Sequence, residues 1–127
     1  MSTLQVTNIQ ATGETASRAV SGVAAVWASL DQDTTGHPTY DSQNVSSTTD
    51  NSTGETTVGF TNNMSNADYA LSGAAQSENE NAARFSVIGK DTTFPNTVSS
   101  FRTDIRNSGG NNQDSKYVSF SIHGDLA

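Results

Sequence analysis

Residues 116–124 read KYVSFSIHG, with Val118, Phe120 and Ile122 at every second position and Tyr117, Ser119 and Ser121 between them. A two-residue period sends alternate side chains to opposite faces of an extended chain, one toward a core and one toward water. The same spacing recurs in ETTVGFT, residues 55–61, where Thr56, Val58 and Phe60 share a face. The alternation matters because apolar residues are scarce. They make up 32% of the 127 residues, against roughly 45–50% (Gly included) in an ordinary globular chain. Charge does not fill the deficit, at only 15%; Ser, Thr and Asn do. Disorder pairs low hydrophobicity with high charge density, whereas here Thr favours extended backbone and Ser and Asn favour turns. The expectation is an all-β chain, an antiparallel β-sandwich of jelly-roll-like type, with a short N-terminal arm and room for one short helix.

Along the chain, TLQVTNI at 3–9 alternates at Leu4 and Val6 and reads as an arm. Ala16, Ala19, Val20 and Val23 fall at helical spacing, so the short helix belongs at 14–22, ended by Gly22. Residues 1–23 then form an arm and 24–127 the sandwich. A strand is expected at about 25–31 around Trp27. DQDTTGHPTYDSQ, residues 31–43, reads as a loop. NVSSTT and ETTVGFT flank the turn DNSTGE and form a hairpin. YALSGAAQ and RFSVIG read as strands, the region of Val98, Phe101 and Ile105 alternates loosely, and NSGGNNQDS is a turn before the last strand.

The thin core points to self-association. A monomer of this size buries about two-thirds of its unfolded surface, against an ordering cost of about 1–2 kcal/mol per residue. Sharing apolar surface with identical neighbours offsets that cost. The net charge of −7, with six Lys and Arg spread singly from Arg18 to Lys116, is wrong for nucleic acid, which binds clustered cations. It is equally wrong for an anionic membrane surface, and no apolar run is long enough to insert into a bilayer. MSTLQVTNIQ has neither the basic nor the apolar region of a secretory leader, so synthesis in the cytoplasm is expected. With no cysteine, disulfides and thiolate metal sites are excluded.

Catalytic patterns are sparse. The two histidines, His37 in a Gly-Pro loop and His123 at the end of the last strand, read as surface residues. No serine lies in a Gly-x-Ser-x-Gly elbow, and Glu78 and Glu80 sit in a polar loop tip, not across a cleft. No enzyme and no cofactor are expected. Asp31, Asp33, Thr35 and Gly36 match the first half of a calcium-binding loop, but Ser42 stands where the bidentate Glu belongs and the flanks are not helical. No metal site is expected; Asp31, Asp33 and Thr35 are the oxygens one would use. Tyr40, Asn111, Asn112 and Tyr117, in or beside loops, are the residues suited to glycan hydroxyls.

The block NVSSTTDNSTGETTVGFTNNMSNADYALSG, residues 44–73, resembles a module of tailed-bacteriophage fibres and other phage structural proteins, many from marine hosts. Trp27 matches its early aromatic and Asn44, Val45 and Ser46 its strand. Asp50, Asn51 and Gly54 match its turn, Val58 and Phe60 its strand core, and Met64 and Tyr69 its next loop and strand. The resemblance covers roughly residues 24–124. Ser52 departs from the Gly usual in the turn, and Thr56 or Thr57 from an aromatic after it. The resemblance implies a structural virion protein, a homotrimeric tail or head fibre or capsid-decoration subunit, located in the virion. Its arm, through Leu4, Val6 and Ile9, would attach to another virion protein. Val20, Val23, Trp27 and Phe85 would meet between subunits. A receptor-binding fibre tip that recognises host surface glycan is the alternative.

Overall fold

Among the described residues, alternate positions of four strands build most of the interior, joined by Met64 and Tyr69. The structure is a computed structural model that describes residues 8–9, 18–19, 23–76, 84–88 and 93–127, with 8–9, 18–19 and 84–88 described by backbone alone. The strands are β1 (Asn8–Ile9), β2 (Arg18–Ala19), β3 (Val26–Leu30), β4 (Thr39–Gln43), β5 (Val45–Ser52), β6 (Glu55–Phe60), β7 (Ala70–Gln76), β8 (Arg84–Ile88), β9 (Ser100–Asn107) and β10 (Tyr117–His123). They form two four-stranded antiparallel sheets, β4-β3-β10-β7 and β5-β6-β9-β8, and a separate β1-β2 pair. The described chain is the antiparallel β-sandwich that the alternation implies.

The central strands carry the core. Val26, Ala28 and Leu30 of β3 and Val118, Phe120 and Ile122 of β10 face Thr56, Val58 and Phe60 of β6 and Phe101, Thr103 and Ile105 of β9, all buried. Phe101 meets Phe120 edge-to-face at 4.8 Å between ring centroids, and Phe60 lies against Phe101 and Tyr69. Two turns explain how so polar a chain holds this register. Asn44, at φ 59°, makes the corner between β4 and β5, and its side chain brackets Asn62 through Asn62 N–H (2.7 Å) and Asn62 carbonyl (3.1 Å). Asn tolerates the left-handed conformation because its short side chain can bond locally. Gly54, at φ 75°, closes the β5–β6 hairpin.

Three expectations change. Residues 31–43 are not wholly loop: Thr39–Gln43 form β4, an edge strand paired with β3 through a bulge at Ser29/Leu30. Backbone pairing on one side suffices for an edge, so little apolar patterning is needed. Within the stretch expected to be helical, Arg18–Ala19 instead pair with Asn8–Ile9 as strands. A nine-residue helix has little stability of its own; the rest of 14–22 lies outside the described residues. The third concerns Phe101 and Ile105, whose strand alternates fully because Thr103 takes the core slot between them.

A Cβ at position 54 would lie 2.5 Å from the Ile105 carbonyl oxygen and 2.8 Å from the Gln113 amide nitrogen, both backbone atoms. Gly54→Ala is therefore expected to destabilise the fold by about 1–3 kcal/mol through strain alone. Urea unfolding checks this, and an unchanged midpoint would contradict the packing of this turn.

Candidate functional site

At one end of the sandwich the β3–β4 loop, the β5–β6 turn and the β9–β10 loop converge. Gln32 N–H donates to the Ser115 carbonyl (3.0 Å), Asp31 N–H to the Pro38 carbonyl (2.9 Å), Gln113 N–H to the Ile105 carbonyl (3.0 Å) and Gly54 N–H to Asp114 Oδ1 (2.6 Å). These bonds let polar loops replace apolar contacts in closing the end of the core.

Asp31 follows Leu30 directly and is buried. Its carboxylate accepts the Asp33 amide (2.9 Å), the Thr34 hydroxyl (3.0 Å) and the Tyr40 hydroxyl (3.0 Å), and it pairs with Lys116 Nζ at 2.8 Å. Burial alone would raise its pKa, but the bonds from Lys116, Thr34 and Tyr40 outweigh it and hold the group below 3.8. Of the three oxygens singled out for calcium, Asp31 is thus turned inward on protein donors, while Asp33 and Thr35 are exposed. Among the described residues, no three His, Cys, Asp or Glu side chains gather as a metal site would require.

His37 is not a surface residue. It is 2% exposed, at φ 49°, with Nδ1 2.7 Å from Thr56 Oγ1 and Nε2 3.4 Å from Asp50 Oδ2. Gln32 Nε2–H donates to the same Thr56 oxygen (2.9 Å) and to the Gly54 carbonyl (3.2 Å). The bonding that satisfies Thr56 and both ring nitrogens has the Thr56 hydroxyl donating to Nδ1 and Nε2–H facing Asp50; the Gln32 side-chain oxygen is buried without a partner. A hydroxyl, an imidazole and a carboxylate in this order resemble a nucleophilic triad. Thr56, however, is fully buried and no substrate can reach it. What the cluster can do is staple the β3–β4 loop onto β5 and β6. Sequence reading missed it because a Gly-His-Pro turn looks like exposed loop, and a buried threonine next to a strand core carries no hydropathy signal.

The glycan candidates divide. Tyr40 and Tyr117 come together on the outer face of the β4-β3-β10-β7 sheet, stacked at 5.8 Å and 29°, and remain 51% and 48% exposed. The Tyr40 hydroxyl donates to Asp31 and to the Lys116 carbonyl (3.3 Å). Partial desolvation and the neighbouring Asp31 carboxylate raise its pKa above 10.0. Asn112 instead lies beside the other sheet, where its Nδ2 donates to Glu55 Oε1 (3.1 Å), and Glu55 also pairs with Arg102. Asn111 is exposed in the turn, its backbone bonded to Asn107. Trp27, assigned from the sequence to a subunit contact, shares the outer face with the tyrosines. Its Nε1–H donates to Gln43 Oε1 at 3.0 Å. Val23 is exposed; Leu4, Val6, Val20 and the side chains of Ile9 and Phe85 lie outside the described residues.

Comparison with known protein families, curated proteins and solved structures finds no match to this chain.

Two outcomes test the geometry. A carboxyl held below its usual pKa stabilises the fold above about pH 3.8, and that contribution is lost as pH falls through the lowered value. The melting temperature of Asp31→Asn should be lower at pH 7 and should decline less with acid than that of the parent; parallel curves would exclude a charged Asp31 as a source of stability. His37→Ala, leaving Thr56 and Gln32 short of a partner and opening a void, should cost about 2–4 kcal/mol in chemical unfolding.

Proposed function

We propose that this chain is a structural protein of a tailed-bacteriophage particle, a small fibre or surface-decoration subunit that acts as a homotrimer, attached through its N-terminal arm to another virion protein. One observation carries the reading. Several of the positions through which residues 44–73 resemble phage structural modules hold corners, turns and core of this sandwich, although Ser46 and Asn51 are exposed. Asn44 makes the left-handed corner, Gly54 makes the turn beneath the Ile105 backbone, and Asp50 faces buried His37. Val58, Phe60, Met64 and Tyr69 are all in the core.

The arrangement also suits a part whose work is to be rigid and repeated. Catalytic spacing is replaced by hydrogen-bonded loops, and binding by many copies multiplies weak contacts without demanding a deep pocket. For trimer contact the surface that fits best is at the other end of the sandwich, where Val23 (56% exposed) and Leu126 (47%) flank an apolar groove with Ala24, Ala25 and Gly124. Val23 and Leu126 lie together in this groove, and contact between copies would bury them.

Removing residues 1–12 should leave a folded protein by circular dichroism that no longer co-sediments with particles; normal incorporation would refute the arm. Counting copies per particle then separates the two placements, since hundreds indicate decoration and a few dozen or fewer a tail. Sedimentation should give a trimer for the parent and a monomer for Val23→Asp/Leu126→Asp. A monomeric parent would overturn the trimer, and a trimeric double variant would move the interface elsewhere.

A further inference from the structure

We propose that the outer face of the β4-β3-β10-β7 sheet binds an uncharged oligosaccharide chain laid between Trp27 and the Tyr40–Tyr117 pair. The inference goes beyond the structural role and stands without it.

The face holds the chain's one tryptophan and two of its three tyrosines. Two of their polar ends are tied inward or sideways, Trp27 to Gln43 and Tyr40 to Asp31 and the Lys116 carbonyl, and Tyr117 is stacked on Tyr40. What remains for a ligand is ring surface, held in place before anything binds. Fixed aromatic side chains lose little entropy on contact, which is why they anchor adaptable binding surfaces. The face of a sugar ring that carries C–H groups packs on such rings, and its hydroxyls need small polar partners beside them.

The floor supplies those partners. Ser119 lies opposite Ser29 on β3 and Ala74 on β7, and Ser121 lies opposite Trp27 and Ser72. Ser72, Gly73, Ala74, Ser119, Phe120 and Ser121 line a shallow trough; the Phe120 side chain is buried in the core, so no outward side chain in it exceeds serine, and the Ser72 and Ser121 hydroxyls are 2.8 Å apart. Tyr117 stands four residues along β10 from the level of Trp27, about 14 Å at strand rise. A short chain of sugars laid along the trough therefore reaches both aromatic ends.

Charge and size select the occupant. The four strands of this sheet contain one formally charged residue, Asp41, at the edge, and no Lys, Arg or Glu. The other sheet turns Glu55, Arg102, Asp104 and Arg106 outward. The cation nearest the face, Lys116, is paired with the Asp31 carboxylate at 2.8 Å, so an acidic polysaccharide would gain little there, and a neutral one needs no cation. Four strands of five to seven residues cover only about 400 Å², whereas a stable protein partner needs about 800 Å² on each side. A narrow chain fits the face; a second subunit would overhang it.

Trp27 makes the test direct, since all tryptophan emission comes from this face. The full-length protein is applied to an array of neutral and acidic bacterial surface oligosaccharides, and the strongest neutral binder is titrated by fluorescence. Binding should be confined to neutral glycans, shift the Trp27 emission and be insensitive to salt. Tyr117→Ala and Ser119→Arg should each weaken it about tenfold or more, with melting temperatures near that of the parent because both positions are exposed. Absence of neutral binders, binding of acidic glycans alone, unshifted emission on binding, or unchanged affinity in both variants would each overturn the proposal. So would a trimer that Ser119→Arg dissociates, since the face would then be a subunit contact. Failure to join particles would bear on the structural role alone.

Discussion

The edge-to-face contact between Phe101 and Phe120 joins the two sheets at their centre, and the rest of the molecule is arranged around the scarcity of such contacts. A sandwich of eight strands normally draws apolar residues from all of them. Among the described residues, the supply covers the inner faces of β3, β10, β6 and β9, with Met64 and Tyr69 beside them and Val45, Leu71 and Ala75 partly buried against them. The first and last strands of the sandwich, β3 and β10, pair side by side, so chain closure and core closure are one event. The described edge strands β4, β5 and β7 are mostly exposed. They can be as polar as they are because their task is to satisfy the backbone of the strand beside them.

Polar residues then take over work that apolar ones do elsewhere. Thr56 and Thr103, both fully buried, occupy core positions, the Thr103 hydroxyl accepting from the Thr56 amide and donating to the Thr56 carbonyl. Gln32, His37 and Asp31 close one end of the sandwich with directed bonds where a richer chain would place Leu or Phe. The difference is one of specificity. Apolar packing tolerates exchange of similar volumes, whereas a buried hydrogen-bonded group left without its partner is costly. An interior of this kind has few alternative arrangements.

This division explains what the sequence disclosed. β10, β6 and β3 were legible because Val, Phe, Ile and Leu mark every second position. β9 was half legible because Thr103 breaks the hydropathy pattern without breaking the alternation of burial. β4 was invisible because an edge strand of Thr, Tyr, Asp, Ser and Gln differs from a loop only in whom its backbone meets. Burial of His37 could not be read, since it depends on Thr56 and Asp50, which approach it only when β5 and β6 form. Tyr40 and Tyr117 were singled out individually as exposed aromatics. That they touch follows from the pairing of β4 and β10 on either side of β3, a relation absent from local spacing.

The bulges in the outer strands have a consequence for crowding. Unpaired strand margins invite ladder extension from one molecule to the next. The β3–β4 pairing shifts at Ser29/Leu30, and the β5–β6 pairing shifts at Val45/Ser47 and Asp50/Ser52. On these two edges an interrupted margin presents no long, straight row of donors and acceptors to a newcomer. Of the four sheet margins, those of β4 and β5 are thereby poor templates for a further strand, whereas β7 and β8 pair with their neighbours in unbroken register.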